Sequence, residues 1–283
     1  MRGTLWMLAG ACFFACMWGL IRLASHELNS MVIVLYRFLL GAILILLIHH
    51  RRLPSIFDTS HIAIHIRRNI ISIFAVHLLF YAISAAPLPN VLAINYAQPL
   101  FITIGAVLFL GERIRIRRIL ALIAGFSGVL LVLRPGSVPM TPGIMAALAS
   151  AVVSAMAYVQ IKQLTAVDSS DTVVAWSFVL PVPIVFLTAL PFWQWPSAHA
   201  WLILCALSAF AYGGQACMTR ALKIAEMTAV MPYDFLRFVL VTLISISFFH
   251  ERFDIYTVIG GAVIFASAVY LAYRESVAAR QKG

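Results

Sequence analysis

Residues 3–22, GTLWMLAGACFFACMWGLIR, recur about 140 positions later as residues 143–162, GIMAALASAVVSAMAYVQIK. Within this stretch a glycine, a leucine, three alanines and an isoleucine are identical, and the closing Arg22 meets Lys162. The correspondence continues along the chain, because Phe38 pairs with Phe178. The sequence therefore contains two copies of one unit, which we place at residues 1–136 and 137–283.

The composition requires a lipid bilayer as the solvent. Hydrophobic residues make up 63% of the 283 residues, charged residues only 11%, and the mean hydropathy is +0.99. A membrane-spanning helix needs about 20 apolar residues, whereas a barrel strand alternates polar and apolar positions. The continuous apolar runs therefore predict an all-α membrane protein with ten transmembrane helices. These spans are predicted at residues 4–24, 31–49, 70–86, 90–110, 118–134, 142–161, 172–192, 199–219, 227–249 and 255–273.

An odd number of spans in each copy sets the orientation of the second copy. After five spans the chain re-enters the membrane from the opposite side, which predicts two inverted five-helix repeats. Inverted repeats are typical of transporters that open a central site alternately to either face of the membrane.

The distribution of positive charge predicts which side is cytoplasmic. Most of the 20 Lys and Arg residues fall in the N-terminus, the C-terminus and the even-numbered connections, so these segments are expected inside. We therefore expect an inner-membrane protein with both termini cytoplasmic. The net charge of +10 then reflects topology and contact with membrane lipid, and nucleic acid is not an expected partner.

Small residues and prolines mark particular faces and breaks of the predicted helices. Small residues at helical spacing let membrane helices approach closely, so we expect these faces to be buried. They occur in three spans: at Ala11 and Ala15, at Ala147, Ala151 and Ala155, and at Ala262 and Ala266. Four prolines, Pro99, Pro181, Pro183 and Pro232, lie inside spans and can kink them. The kinks suit gating, and proline is also simply common in membrane helices.

Few ionisable side chains fall at bilayer depth, and such groups are costly enough to suggest function. Arg37 and His77 lie in the first copy, and Asp234 with Arg237 lies in the second. A shift of about 139 residues maps Asn95 onto Asp234 and Gln98 onto Arg237, so each copy carries a polar pair on one helix face. We expect these groups to converge at mid-membrane on a small-molecule substrate. The full predicted substrate-binding set is Trp18, Tyr36, Arg37, His77, Tyr81, Asn95, Gln98, Tyr158, Trp176, Gln215, Asp234 and Arg237.

Alternative interpretations of this set stay open at this point. Asp234 and Arg237 can neutralise each other without a ligand, and the amides can bond between helices. If the set does bind a substrate, two arginines against one aspartate favour an anion or a zwitterion with an apolar or ring part.

The motifs of the chain resemble those of a known transporter superfamily. They are Tyr36-Arg37-Phe38-Leu39-Leu40, Leu110-Gly111-Glu112-Arg113, Ala221-Leu222-Lys223 and His250-Glu251-Arg252. In this order they resemble the drug/metabolite transporter superfamily, in its EamA-domain branch with two tandem five-helix units. The resemblance implies ten helices around a cavity and secondary transport of a small metabolite, often an amino acid. S-adenosylmethionine is the alternative substrate that it suggests. Ser177 stands where the first copy has Arg37, so the cavity is expected to be electrically asymmetric.

Other classes of function fit the residues less well. The eight histidines lack the clustering of a membrane di-iron enzyme, and no Gly-X-Ser-X-Gly site indicates a protease. Rings of charge that would indicate a channel are missing from the sequence, as is a phosphate-binding glycine loop. Cys12 and Cys16 share a helix face, but two thiols alone rarely hold a metal. We expect neither a cofactor nor a metal nor an enzymatic activity, and a monomer or a homodimer.

Overall fold

The chain forms helices throughout the part that the computed structural model describes, which comprises residues 2–95, 97–98, 100–101, 116–134, 140–225, 231–250 and 254–280. Within those residues there is no β-strand. The α-helices are α1 (Arg2–Ala24), α2 (Ser30–Ile48), α3 (Leu53–Phe57), α4 (Ile62–Ala85), α5 (Leu88–Asn95), α6 (Ile116–Leu133), α7 (Pro142–Val167), α8 (Ser170–Val179), α9 (Val182–Ala189), α10 (Ala198–Ile224), α11 (Phe235–Phe249) and α12 (Ile255–Arg280). Short 3₁₀ helices occupy His50–Arg52, Leu190–Phe192 and Met231–Asp234.

The predicted multi-pass membrane character is confirmed by helix length and composition. Among the described residues, six segments are long and apolar enough to cross a membrane: α1, α2, α4, α7, Ser170–Phe192 and α10. The count of ten helices stays a prediction, because residues 102–115, which include the end of the predicted fourth span, lie outside the described residues. The motifs at Glu112-Arg113 and Glu251-Arg252, with Tyr96 and Pro99, lie outside them too.

The third predicted span starts too late in the sequence. Helix α4 begins at Ile62, whereas the apolar pattern predicts a start at residue 70. Its first turns contain buried polar side chains whose bonds are made within the protein, so hydropathy does not detect them. Asn69, for example, donates from Nδ2 to the carbonyl oxygens of His65, at 2.8 Å, and Trp176, at 3.2 Å. Arg68, assigned from the sequence to an inner connection, is therefore a buried residue of α4.

The helices of the two copies interleave. The most extensive pairs are α1 with α10, α4 with α7, and α6 with α12. Each of these pairs joins a helix of one copy to a helix of the other, so the copies form one bundle with a shared centre.

The small-residue faces of α1 and α7 are buried, as predicted from Ala15, Ala151 and their neighbours. The prediction for α12 is wrong, because Ala262 and Ala266 are exposed. That helix packs instead through Gly260, where an added Cβ would lie 2.6 Å from the carbonyl oxygen of Gly128 in α6. Two glycine backbones in direct contact thus set this crossing.

Basic residues that the repeat pairs with each other make the same contact in both copies. At the end of α1, Arg22 donates from Nη1 to the carbonyl oxygens of Ile83 and Ser84, each at 3.0 Å, at the end of α4. At the corresponding place in α7, Lys162 donates from Nζ to the carbonyl oxygen of Leu222 at 2.7 Å, at the end of α10. The last carbonyls of a helix have no partner within it, so a cation there both bonds them and complements the helix dipole.

Acidic residues after α1 and α7 also act in parallel. Glu27 accepts hydrogen bonds at 2.9 Å from both the backbone N and Oγ of Ser197, which caps α10. Asp168 accepts hydrogen bonds from Thr59 Oγ1, at 2.8 Å, and His65 Nε2, at 2.7 Å, at the start of α4. In each case the first loop of one copy holds the beginning of the third long helix of the other copy.

Two predicted spans are interrupted where prolines occur. The seventh span divides into α8 and α9 around Pro181, which lacks the N–H needed to continue the helix. In the ninth, the described residues start with the 3₁₀ turn Met231–Asp234, which precedes α11. In the fourth span α5 ends at Asn95, the repeat partner of Asp234, and Ala97 then bonds to the carbonyl of Ile94 three residues back. Irregular backbone is tolerated at membrane depth where it lies inside the protein or lines a cavity.

We predict that Gly260→Val lowers the thermal midpoint of unfolding of the detergent-purified protein. The new side chain would overlap the Gly128 carbonyl, and overpacking of this kind costs roughly 1–3 kcal/mol. The matched control is Ala262→Val, two residues further along the same helix on its exposed side. Equal midpoints for the two variants would show that the α6–α12 crossing is not set by glycine contact.

Candidate functional site

A cavity of about 110 Å³ lies at the centre of the bundle. Its wall consists of residues from both copies, in α1, α2, α4, α5, the segment after α5, α7, α8, α10 and α11. The aromatic part of the wall consists of Phe14, Trp18, Phe38, Phe80, Tyr158 and Phe178. The polar part consists of Arg37, Arg68, Ser72, Asn95, Gln98, Ser154, Ser177, Gln215 and Arg237. Arginines and aromatic rings thus share one enclosed space.

Arg37 is held by aromatic rings and not by a carboxylate. It is buried in α2, and its guanidinium carbon lies 4.5 Å from the ring centre of Phe38 and 5.3 Å from that of Phe178. The faces of aromatic rings attract a buried cation. They provide no acceptor, however, for the N–H groups that donate in the plane of the guanidinium. Nε and Nη1 of Arg37 accordingly have no hydrogen-bond partner among the described residues.

Arg68 is the charged wall residue that the sequence analysis does not predict; Ser72, Ser154 and Ser177 are uncharged ones. Arg68 follows Arg67 in a polar stretch, so the local pattern indicates a cytoplasmic connection and not a helix interior. The signal that does exist is helical spacing, because Ser72 follows Arg68 by four residues and both line the cavity. Its Nη1 donates to Oδ1 of the neutral Asn69 at 3.2 Å.

Arg237 differs from the other two arginines because it has a carboxylate beside it. Its Nη2 donates to Oδ2 of Asp234 at 2.6 Å, one helical turn earlier. Its guanidinium carbon lies 5.6 Å from the ring centre of Trp18. Asp234 and Arg237 therefore form the ion pair that the alternative interpretation of the sequence suggests. Arg237 also lines the cavity.

The structure brings seven of the predicted residues to the cavity wall and leaves the others away from it. Those on the wall are Trp18, Arg37, Asn95, Gln98, Tyr158, Gln215 and Arg237. Asp234 lies behind Arg237 as its ion-pair partner. The four that lie elsewhere are Tyr36, His77, Tyr81 and Trp176.

Tyr36 and Trp176 do not line the cavity, and their role in substrate binding stays a prediction. Each immediately precedes a wall residue, Arg37 or Ser177, and consecutive helical residues point in different directions. Tyr36 packs edge-on against Trp201 with ring centres 4.9 Å apart. Trp176 packs against Phe57, with ring centres 5.2 Å apart, outside the cavity wall.

His77 and Tyr81 lie away from the cavity because α4 faces it through other positions. Arg68, Ser72 and Leu79 recur at helical spacing on the cavity side, so His77 is directed elsewhere. His77 bonds through Nε2 to Oγ1 of Thr188 at 3.0 Å, and Tyr81 is exposed. Neither residue contributes to the wall.

The side chains of the site indicate what kind of ligand it can bind. Within the described part of the chain, no group of three or more His, Cys, Asp or Glu side chains is placed to hold a metal ion. What the cavity does offer is cationic donors beside aromatic surface. The fold and the cavity together define a multi-pass membrane protein with a central chamber suited to a small organic ligand.

Comparison with known proteins identifies the family. The model of the EamA-like transporter family matches residues 1–134 and again residues 141–273, and the chain belongs to this family. A solved crystal structure superposes with a TM-score of 0.67 over 96% of this chain and 98% of that chain, at 20% identity, so the likeness concerns the fold.

Curated relatives are transporters from several bacteria. A riboflavin transporter of Vibrio cholerae is 26% identical over 239 residues, which cover 83% of this chain and 80% of that protein. An S-adenosylmethionine uptake transporter of Rickettsia prowazekii is 24% identical over 251 residues, covering 88% and 85%. A pseudopaline exporter of Pseudomonas aeruginosa is 26% identical over 276 residues, covering 95% of both proteins. The family and these names point to a transporter and not to an enzyme.

We predict that Asp234→Asn and Arg237→Gln each lower the thermal midpoint more than the double variant does. Removing one partner of a buried ion pair leaves an uncompensated charge and costs about 3–5 kcal/mol. The double variant restores the neutral amide chemistry of Asn95 and Gln98. Asp171→Asn is the matched control, since it breaks the more exposed pair with Arg220, a class of pair worth about 0–1 kcal/mol. Additive losses in the double variant would refute coupling within the pair.

Proposed function

We propose that this protein is a secondary transporter that moves a small organic metabolite across the inner membrane by alternating access. The metabolite carries an acidic group and a planar or apolar part. The observation that carries this proposal is the central cavity of a transporter-family chain, with three arginines on its wall and one aspartate beside them.

The acidic group is favoured by charge balance. Asp234 compensates Arg237, which leaves Arg37 and Arg68 without a carboxylate partner among the described residues. A charge inside a membrane protein is costly unless a charge of opposite sign is close. An anionic ligand supplies that opposite charge to Arg37 and Arg68. Guanidinium also binds carboxylate and phosphate oxygens through parallel hydrogen bonds.

The planar part is favoured by the aromatic wall. Trp18, Phe178 and their neighbours provide flat apolar surface on several sides of the cavity. Relatives named for riboflavin and S-adenosylmethionine are consistent with this, since both compounds contain a fused ring system.

S-adenosylmethionine itself is the second candidate, favoured by the name of the Rickettsia relative. Its sulfonium and ammonium groups outweigh its single carboxylate, so its net charge is positive. Two uncompensated arginines repel such a molecule, and we therefore rank it below an anion. Amino-acid transport, expected from the resemblance, has no support in the names of these relatives.

The alternating-access mechanism is supported by the matched contacts of the two copies. Arg22 and Lys162 bond equivalent helix ends, and Glu27 and Asp168 hold equivalent helix beginnings. If the copies are inverted, the Glu27 contact lies at the outer face and the Asp168 contact at the inner face. Opening one while the other stays closed exposes the cavity to one side at a time.

We predict that Cys substituted at Gln194 is labelled from outside and Cys at Asp58 from inside, in a background without the four native cysteines. The two positions occupy equivalent connections of the two copies, and both are exposed. The measurement is modification of intact cells by an impermeant maleimide, with permeabilised cells as the control. Labelling of both positions from one side would contradict inverted copies.

We predict that proteoliposomes take up riboflavin 5′-phosphate, the anion of the panel below, in preference to S-adenosylmethionine, and that Arg37→Lys reduces this uptake by about tenfold or more. Lysine keeps the charge but loses the planar fork of donors. The panel contains riboflavin, riboflavin 5′-phosphate, tryptophan and S-adenosylmethionine, each radiolabelled and tested with and without a pH gradient.

The control for Arg37→Lys is Arg51→Lys, a change on an exposed connection that should leave uptake unchanged. Dominant uptake of S-adenosylmethionine, insensitive to Arg37→Lys, would overturn the anionic assignment. Uptake of no member of the panel would overturn the substrate class as a whole.

A further inference from the structure

Arg37 and Arg68 are both buried, and both line the central cavity. We infer that these two guanidiniums form a seat for a doubly charged oxyanion on the transported molecule, of which a phosphate monoester is the simplest. The inference rests on the proposed function, because it specifies the ligand chemistry of the same cavity.

The orientation of Arg68 is fixed by a residue that carries no charge. Asn69 donates from its amide nitrogen to the carbonyl oxygens of His65 and Trp176. Its Oδ1 accepts a hydrogen bond from Arg68 Nη1. Such an arrangement positions the guanidinium without neutralising it. Nε of Arg68 remains without a partner among the described residues.

Arg37, Arg68, Ser72 and Asn95 line the cavity and carry nitrogen or hydroxyl groups without a hydrogen-bond partner in the described chain. Nε and Nη1 of Arg37, Nε of Arg68, Oγ of Ser72 and Nδ2 of Asn95 are all buried without a hydrogen-bond partner in the described chain. The four residues retain only 5–8% of their exposure, and all line the cavity. Most buried polar groups in proteins are hydrogen-bonded, so a cluster of donors that lacks acceptors calls for a ligand rich in acceptor oxygens.

The charge of the ligand follows from the number of uncompensated cations. The charge of Arg237 is compensated by Asp234, whereas Arg37 and Arg68 have no carboxylate partner in the described residues. A singly charged group compensates one of them and leaves the other in a low-dielectric cavity. A doubly charged group compensates both, and its several oxygens also accept from Ser72 and Asn95.

The test compares two probes of the same shape that differ by one charge. Phenyl phosphate is doubly charged at about pH 8, since the second pKa of a phosphate monoester is about 6, whereas phenyl sulfate carries one charge. Their affinities for the full-length protein in nanodiscs are measured by calorimetry at constant ionic strength. We expect phenyl phosphate to bind roughly tenfold or more tightly, a difference of about 1.4 kcal/mol or more.

Arg68→Gln is expected to bring the two affinities to within about threefold of each other, with the larger loss for phenyl phosphate, and Arg37→Gln to act in the same direction. Arg68→Lys, which keeps the charge, guards against misfolding and should retain part of the preference. The matched control is Arg67→Gln, on the neighbouring exposed residue that bonds to Gln160, and it should leave the preference unchanged.

Each outcome bears on the inference separately from the proposed function. Equal affinities in the unaltered protein, absence of binding by either probe, or a preference that survives Arg68→Gln would overturn the two-arginine seat. Transport of a singly charged metabolite would still be possible in those cases. Strong charge discrimination in a protein that transports nothing would support the seat and contradict the proposed function.

Discussion

The cost of holding arginine charge inside a membrane governs the centre of this structure. Arg37, Arg68 and Arg237 are all buried at the cavity, and each is accommodated by a different means. Aromatic ring faces surround the first, a neutral amide orients the second, and a carboxylate pairs with the third. Only the third arrangement pairs the arginine with a carboxylate, so the described residues of the cavity carry an excess of positive charge.

The long helices pack closely against each other, whereas irregular backbone occurs near the cavity. Close approach through small residues, such as Gly128 against Gly260, fixes how the long helices cross. Irregular backbone occurs beside polar residues of the site, after Asn95 in one copy and at Asp234, the ion-pair partner of Arg237, in the other. Irregular backbone in the interior of a membrane protein is supported by neighbouring protein.

The sequence predicts the membrane fold well and the site in part. Periodic small residues predict the buried faces of α1 and α7, because packing in lipid depends on residue size along one helix. Arg68 is not predictable in this way, since its burial depends on bonds from Asn69 to a distant carbonyl. The position of Tyr36 away from the cavity is not predictable for a related reason, because hydropathy locates a span but not its rotation about the helix axis.

The central claim is that uncompensated arginines of the cavity bind acidic oxygens of the ligand. A crystal structure with 4-bromophenyl phosphate tests it most directly, because the anomalous signal of bromine locates the ring and the density locates the phosphate. The account predicts phosphate oxygens within hydrogen-bond distance of Arg37 and Arg68, with the ring against the aromatic wall near Phe178. A phosphate bound outside the cavity, or in the cavity but away from both guanidiniums, would contradict it.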